Sequence, residues 1–254
     1  MKKAIVVVSF GTTYEDRRKK SIVPIEEKIK TKFKDYEFFR CYSSKFIVSR
    51  LDSKDIYHIE ETLNYLKENN YNEVIIQPLY VVCGFEYDKI LNLINDCDFD
   101  SVKVGKSLLN NKTNFYEFSN RLVENTKLIE KDDSLVFMAH GSFHNEDYNY
   151  IKLENELKKI NENIFIATLE GENSIQNIRD ILKQRNIDTV YLYPFMLVSG
   201  RHIVTDLVSD NKGSWKSILK ENGMIVYTSE TSLGEYDFIQ EIFLNESITL
   251  IDNN

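Results

Sequence analysis

The chain of 254 residues holds four histidines, His58, His140, His144 and His202. Imidazole both ligates first-row divalent metals and accepts a proton near neutral pH, so their settings decide what chemistry is available. His140 follows the apolar run Leu135-Val136-Phe137-Met138-Ala139 and precedes Gly141, which lets the backbone turn sharply at the end of a strand. His202 follows a second apolar run over residues 190–198 and the turn Ser199-Gly200-Arg201. Both imidazoles are therefore expected to project into a strand-end crevice, where parallel α/β sheets bind ligands; the plainer alternative is two surface or capping histidines. His144 lies four residues beyond His140, but Gly141 and Ser142 favour a loop there and place it at the rim. His58 opens an amphipathic helix beside Glu60 and Glu61 and reads as an exposed, unremarkable imidazole.

Glu170 ends the run over residues 164–169 and precedes Gly171, so a carboxylate at that strand end is placed to approach a cation, with Glu172 as the alternative. Both equally suit the start of a following helix, where the macrodipole favours negative charge. Cys41, Cys83 and Cys97 form no close pair and no zinc-like spacing, and their odd number argues against a disulfide framework. They read as reduced, partly buried thiols. Ser9-Phe10-Gly11-Thr12-Thr13 follows a strand-like run and precedes a helix, a place where backbone amides bind phosphate. The full glycine-rich nucleotide motifs are missing, so a nucleotide-using enzyme is weakly supported. A net charge of −8 disfavours nucleic acid, whose phosphates demand a basic surface.

Positioning such residues requires a scaffold, and the composition, 42% hydrophobic and 28% charged with three prolines, is that of a folded globular protein. Short apolar runs alternate with amphipathic stretches throughout, the pattern of an α/β protein with parallel sheets covered by helices. Strands are expected over residues 4–9, 37–42, 73–79, 101–104, 135–139, 164–169, 189–195 and 224–228, and helices over 59–68 and 175–184 among others. The opening Met1-Lys2-Lys3 and the apolar run after it lack the length and cleavage site of a signal peptide. No run approaches the roughly 18 apolar residues of a membrane span, so a cytoplasmic location is expected.

The two halves repeat one another. At one constant spacing Leu66, Lys67, Asn70, Val74, Pro78, Val82 and Gly84 recur as Leu182, Lys183, Asn186, Val190, Pro194, Val198 and Gly200. At a second spacing Phe10-Gly11-Thr12 recurs as His140-Gly141-Ser142. Duplication into two similar domains, 1–128 and 129–254, follows, the second carrying the paired histidines. Phe10 then corresponds to His140 and Glu86 to His202, on opposite sides of one expected cleft.

In their order along the chain, several blocks resemble the anaerobic cobalt chelatases, a branch of the class II chelatases. They are Val6-Val7-Val8-Ser9-Phe10-Gly11-Thr12-Thr13, Gln77-Pro78-Leu79 with Gly84-Phe85-Glu86-Tyr87, Val136-Phe137-Met138-Ala139-His140-Gly141, Leu169-Glu170-Gly171, and Pro194-Phe195-Met196-Leu197-Val198-Ser199-Gly200-Arg201-His202, followed by Ser209-Asp210 and Ser214-Trp215. Ala139 departs from the glycine many relatives carry before the histidine, a difference of one methyl group. The resemblance implies two α/β domains with a tetrapyrrole between them, and ATP-independent insertion of Co²⁺ into sirohydrochlorin or its reduced precursor during anaerobic cobalamin biosynthesis. It implies His140, Glu170 and His202 as metal ligands and catalytic groups. Phe10, Gly11, Phe85, Glu86 and Arg201 are expected to meet the macrocycle, the aromatics against its face and Arg201 against its peripheral carboxylates. No cofactor is expected beyond the metal substrate, and no nucleic-acid or membrane partner; self-association stays open. The alternatives are a ferrochelatase or nickel chelatase acting on the same ring, and a non-catalytic tetrapyrrole- or metal-binding protein.

Overall fold

Ala4 to Val8 are apolar without interruption and at most 1% exposed, which a strand covered by helices on both faces requires. This strand, β1 (Lys2–Ser9), is the middle strand of a five-stranded parallel sheet. The structure, a computed structural model, describes residues 2–51, 55–95, 97, 99–126, 130 and 132–252. After β1 come α1 (Glu15–Ser21), α2 (Val23–Lys32), β2 (Glu37–Tyr42), α3 (Lys45–Val48), β3 (Tyr57–His58), α4 (Ile59–Glu68), β4 (Tyr71–Pro78), α5 (Phe85–Asn95) and β5 (Ser101–Val104). A second set follows: α6 (Phe115–Glu124), β6 (Asp133–Ala139), α7 (Tyr148–Ile160), β7 (Ile164–Thr168), α8 (Ile175–Gln184), β8 (Thr189–Pro194), α9 (Trp215–Glu221), β9 (Ile225–Thr228) and the terminal helix α10 (Asp237–Asp252). Its sheet is also parallel, of order β7-β6-β8-β9.

The repetition in the sequence is a repetition of topology. Removing β3 from the first sheet leaves β2-β1-β4-β5, the same arrangement as β7-β6-β8-β9. Register agrees as well: Val8 pairs with Pro78 as Met138 pairs with Pro194. The next amide continues each ladder, Leu79 N donating to Val8 O at 2.7 Å and Phe195 N to Met138 O at 2.6 Å. Helices α4 and α8 each run 10 residues. Beyond them the matched asparagines take the left-handed conformation, with φ 58° at Asn70 and 55° at Asn186, as a residue closing a helix C-terminus often does.

The expected break at 128/129 is displaced. One compact unit comprises Met1–Asn110 together with Asp237–Asn254, and the other Asn111–Tyr236. Helix α6 goes with the second sheet because it packs on α7, and Phe118 meets Phe195 edge-on at 6.4 Å between ring centroids. Helix α10 returns to the first sheet, packing on α2 and β4 with Phe238, Ile239 and Phe243 buried. Polar contacts fix its place: Ser247 Oγ lies 3.1 Å from Gln77 Oε1, and Lys106 N donates to Glu246 Oε1 at 2.9 Å. The cysteines are unbonded to one another, with Cys41 buried and its thiol pKa pushed up by that burial.

Candidate functional site

The hydrogen-bond partners of the four imidazoles divide them into two kinds. A carbonyl or carboxylate only accepts and a backbone N–H only donates, so each partner fixes which ring nitrogen of a neutral histidine carries the proton. His58 Nδ1 accepts from Glu60 N at 3.3 Å, and its Nε2 donates to Ser43 O at 3.1 Å. Both nitrogens are committed, His58 caps α4, and the ring is buried rather than exposed as its acidic neighbours suggested. His144 Nδ1 accepts from Glu146 N at 3.1 Å, which puts its proton on Nε2. The other two histidines are reversed. His140 Nδ1 lies 2.9 Å from Gly141 O, and His202 Nδ1 lies 2.7 Å from Asp206 Oδ2. Each donates through Nδ1 and keeps the Nε2 lone pair for a metal or a proton. These two rings are also neighbours, 5.1 Å between centroids at 85°.

The local fold explains both placements. At the end of β6, Gly141 has φ +71°, and a Cβ there would lie 2.0 Å from the carbonyl oxygen of Glu170. Only glycine lets the β7 strand end close over the turn. Hydrogen bonds go on tying the two chain segments together past the strand ends, Leu169 N donating to Ala139 O at 3.1 Å and Glu170 N to His140 O at 2.9 Å. His140 and Glu170 are thus held side by side through backbone, and both are exposed. His202 does not sit in a strand-end turn as its apolar prelude implied. Strand β8 stops at Pro194, and Arg201 and His202 open a helical segment whose next residues, Ile203–Leu207, form a π-helical turn closed by Val208 N to Ile203 O at 3.1 Å. Such widened turns recur at functional sites. Ile203 and Leu207 are fully buried in the core of this unit, which turns His202 and Asp206 outward, their side chains 47% and 41% exposed.

Glu170 lines a pocket of about 290 Å³ with Phe143, His144, Asp147, Tyr148 and Glu172, and neither His140 nor His202 is among its lining residues. Glu170 and Glu172 precede the Ser174 cap of α8, so neither belongs to that helix. Among the described residues no three His, Cys, Asp or Glu side chains converge into a preformed metal cluster. What the unit offers is an imidazole pair with a carboxylate one backbone hydrogen bond from His140. In the first unit, Phe10 and Glu86 share a pocket of about 580 Å³ at the strand ends with Ser43, Lys45, His58 and Lys89. Lys45 pairs with Glu60 at 2.7 Å and Lys89 pairs with Glu86. Gly11, φ +101°, makes room for the Tyr42 ring, 2.4 Å from where its Cβ would be, so it shapes the loop that carries Phe10. Phe85 is exposed at the first position of α5, and Arg201 is exposed immediately before His202. Asp206 was missed by sequence reading; its signal is the four-residue spacing from His202, informative only once that segment is known to be helical.

A doubled parallel α/β fold carrying two adjacent imidazoles with available Nε2 lone pairs has the equipment of a metal-handling enzyme. Comparison with known families narrows this: the family model described as cobalt chelatase (CbiK) matches residues 3–251, and the chain belongs to that family. It is similar to the sirohydrochlorin cobaltochelatase of Salmonella typhimurium, 29% identical over 249 residues that cover 96% of this chain and 94% of that one. It is also similar to the sirohydrochlorin cobaltochelatase CbiKC of Nitratidesulfovibrio vulgaris, 25% identical over 252 residues, 96% of this chain and 89% of the other. Among solved structures, SirB from Bacillus subtilis with Fe³⁺ superposes with a TM-score of 0.67 at 14% identity, covering 100% of this chain and 97% of that one, a likeness of fold.

Proposed function

We propose that this chain inserts Co²⁺ into sirohydrochlorin without ATP, using His140 and His202 to receive the cation and to take up protons released by the ring. Family membership supports the reaction class, and one observation carries the assignment to residues. Of the four imidazoles, these two alone have an Nδ1 donor bond that leaves Nε2 available, and they adjoin one another. The reaction exchanges two pyrrole protons for one Co²⁺. The cation must shed water, and nitrogen donors suit cobalt while two protein ligands leave positions open for incoming ring nitrogens. As the cation passes to the ring nitrogens each Nε2 lone pair is released, and the two freed Nε2 atoms accept the two departing protons. Glu170, one backbone hydrogen bond from His140, offsets the cation's charge as ligand or proton acceptor.

The macrocycle is assigned to Phe10, Gly11, Phe85, Glu86 and Arg201. Exposed Phe10 and Phe85 supply flat apolar surface, and Arg201 supplies a guanidinium for ring carboxylates. The metal is substrate, and no further cofactor is assigned. The proposed location is the cytoplasm; among the described residues no helix is long and apolar enough to cross a membrane. The test is anaerobic absorbance of sirohydrochlorin with Co²⁺, Ni²⁺ or Fe²⁺ supplied separately. Insertion of Co²⁺ well above background without ATP is expected. A background rate from demonstrably folded protein overturns the proposal.

A further inference from the structure

We propose that Asp206 is a positioning residue for His202, holding its imidazole in the tautomer that presents an unprotonated Nε2. This deepens the reading of His202 as a metal and proton acceptor and rests on it. An exposed histidine side chain in water favours the opposite tautomer, with the proton on Nε2, which blocks the atom a cation would need. The Asp206 carboxylate, 2.7 Å from Nδ1, reverses that preference because it can only accept. The Thr205 hydroxyl, 3.0 Å from Asp206 Oδ1 and 2.9 Å from Arg201 O, shares its single proton between the carboxylate and the helix backbone. Buried Ile203 and Leu207 fix the turn on either side, so the His202 to Asp206 spacing is set by the core and not by two mobile surface side chains. His140 needs no such partner, since its Nδ1 donor bond goes to the carbonyl of Gly141, in a turn that the Glu170 N to His140 O bond ties to the neighbouring chain segment. Carboxylate partners that orient ligating histidines in this way commonly carry a 10–100-fold share of metal affinity.

The test uses full-length, metal-free protein labelled with ¹⁵N at histidine, observed by two-bond ¹H–¹⁵N correlation at a pH where the imidazoles are neutral. In the unsubstituted protein His140 and His202 should show protonated Nδ1, and His58 and His144 protonated Nε2. In Asp206→Ala the His202 pattern should move to protonated Nε2 while the other three stay as they were, which also shows that the fold is intact. Affinity for Co²⁺ alone should fall about 10–100-fold in that variant, with Asp206→Glu recovering part of the loss. Protonated Nε2 at His202 before substitution, or an unmoved pattern in Asp206→Ala, overturns the proposal. The tautomer pattern judges Asp206 by itself, whereas folded, unsubstituted protein that inserts no cobalt tells against the reaction instead.

Discussion

At the scale of residues, the chemistry turns on which nitrogen of each histidine is available, and this separates side chains that composition treats alike. His140→Ala and His202→Ala should each lower the insertion rate about 10²-fold or more, the range for removal of a positioned acid–base group. Both rings are exposed, so thermal midpoints should barely move. His58→Ala should do the reverse to stability, costing about 1 kcal/mol because α4 loses its cap. Steady-state rates and thermal melts on the same preparations check both statements. The strand-end position of His140 was legible in the sequence because an unbroken apolar run leads straight into it. His202 was singled out through the apolar stretch before it, yet that stretch is not all strand: β8 ends at Pro194, Phe195 adds one last ladder bond to Met138 while its ring is buried against Phe118, Phe137 and Tyr150, and the chain is helical again from Arg201. Reading it as a turn hid the helical spacing to Asp206.

At the scale of elements, the sequence pattern located the long strands because buried parallel strands are continuous apolar runs. The pattern over residues 37–42 and 101–104 coincides with β2 and β5. Strand β3 escaped because two residues are too few to show any period. The matched prolines were informative for a physical reason: proline has no N–H to add to a ladder, and both β4 and β8 end on one. The matched asparagines supply a test of the duplication. Asn70→Ala and Asn186→Ala should each cost about 1 kcal/mol, since alanine tolerates positive φ poorly, while the glycine variants should cost less or stabilise. Chemical denaturation of the four variants measures this; unequal responses at the two positions would show that the repeated helix ends do not bear equivalent strain.

At the scale of the molecule, two compact units were foreseeable from the repeats, but the return of the last helix to the first sheet was not. Nothing local in residues 237–252 states which sheet they cover; the information lies in buried partners far away in sequence, such as Ser247 at Gln77. A fragment of residues 1–110 should therefore lack cooperative unfolding, because the α2 and β4 surfaces under α10 are uncovered, whereas a fragment of residues 111–236, contiguous and with its own core, should melt cooperatively. Calorimetry of the two fragments distinguishes them, and a cooperatively melting 1–110 fragment would contradict the assignment of α10 to that unit's core.

The central claim is that one cation is received by two Nε2 atoms. It is tested most directly by anaerobic diffraction from crystals of the protein soaked in Co²⁺, with anomalous differences collected at the cobalt edge. The account predicts a single strong peak at metal–nitrogen distance, roughly 2.1 Å, from Nε2 of both His140 and His202, with Glu170 as a direct ligand or the nearest carboxylate beyond. A cation held by the cysteines, by His58, or in the His144, Glu170 and Glu172 pocket with neither His140 nor His202 bound would contradict it.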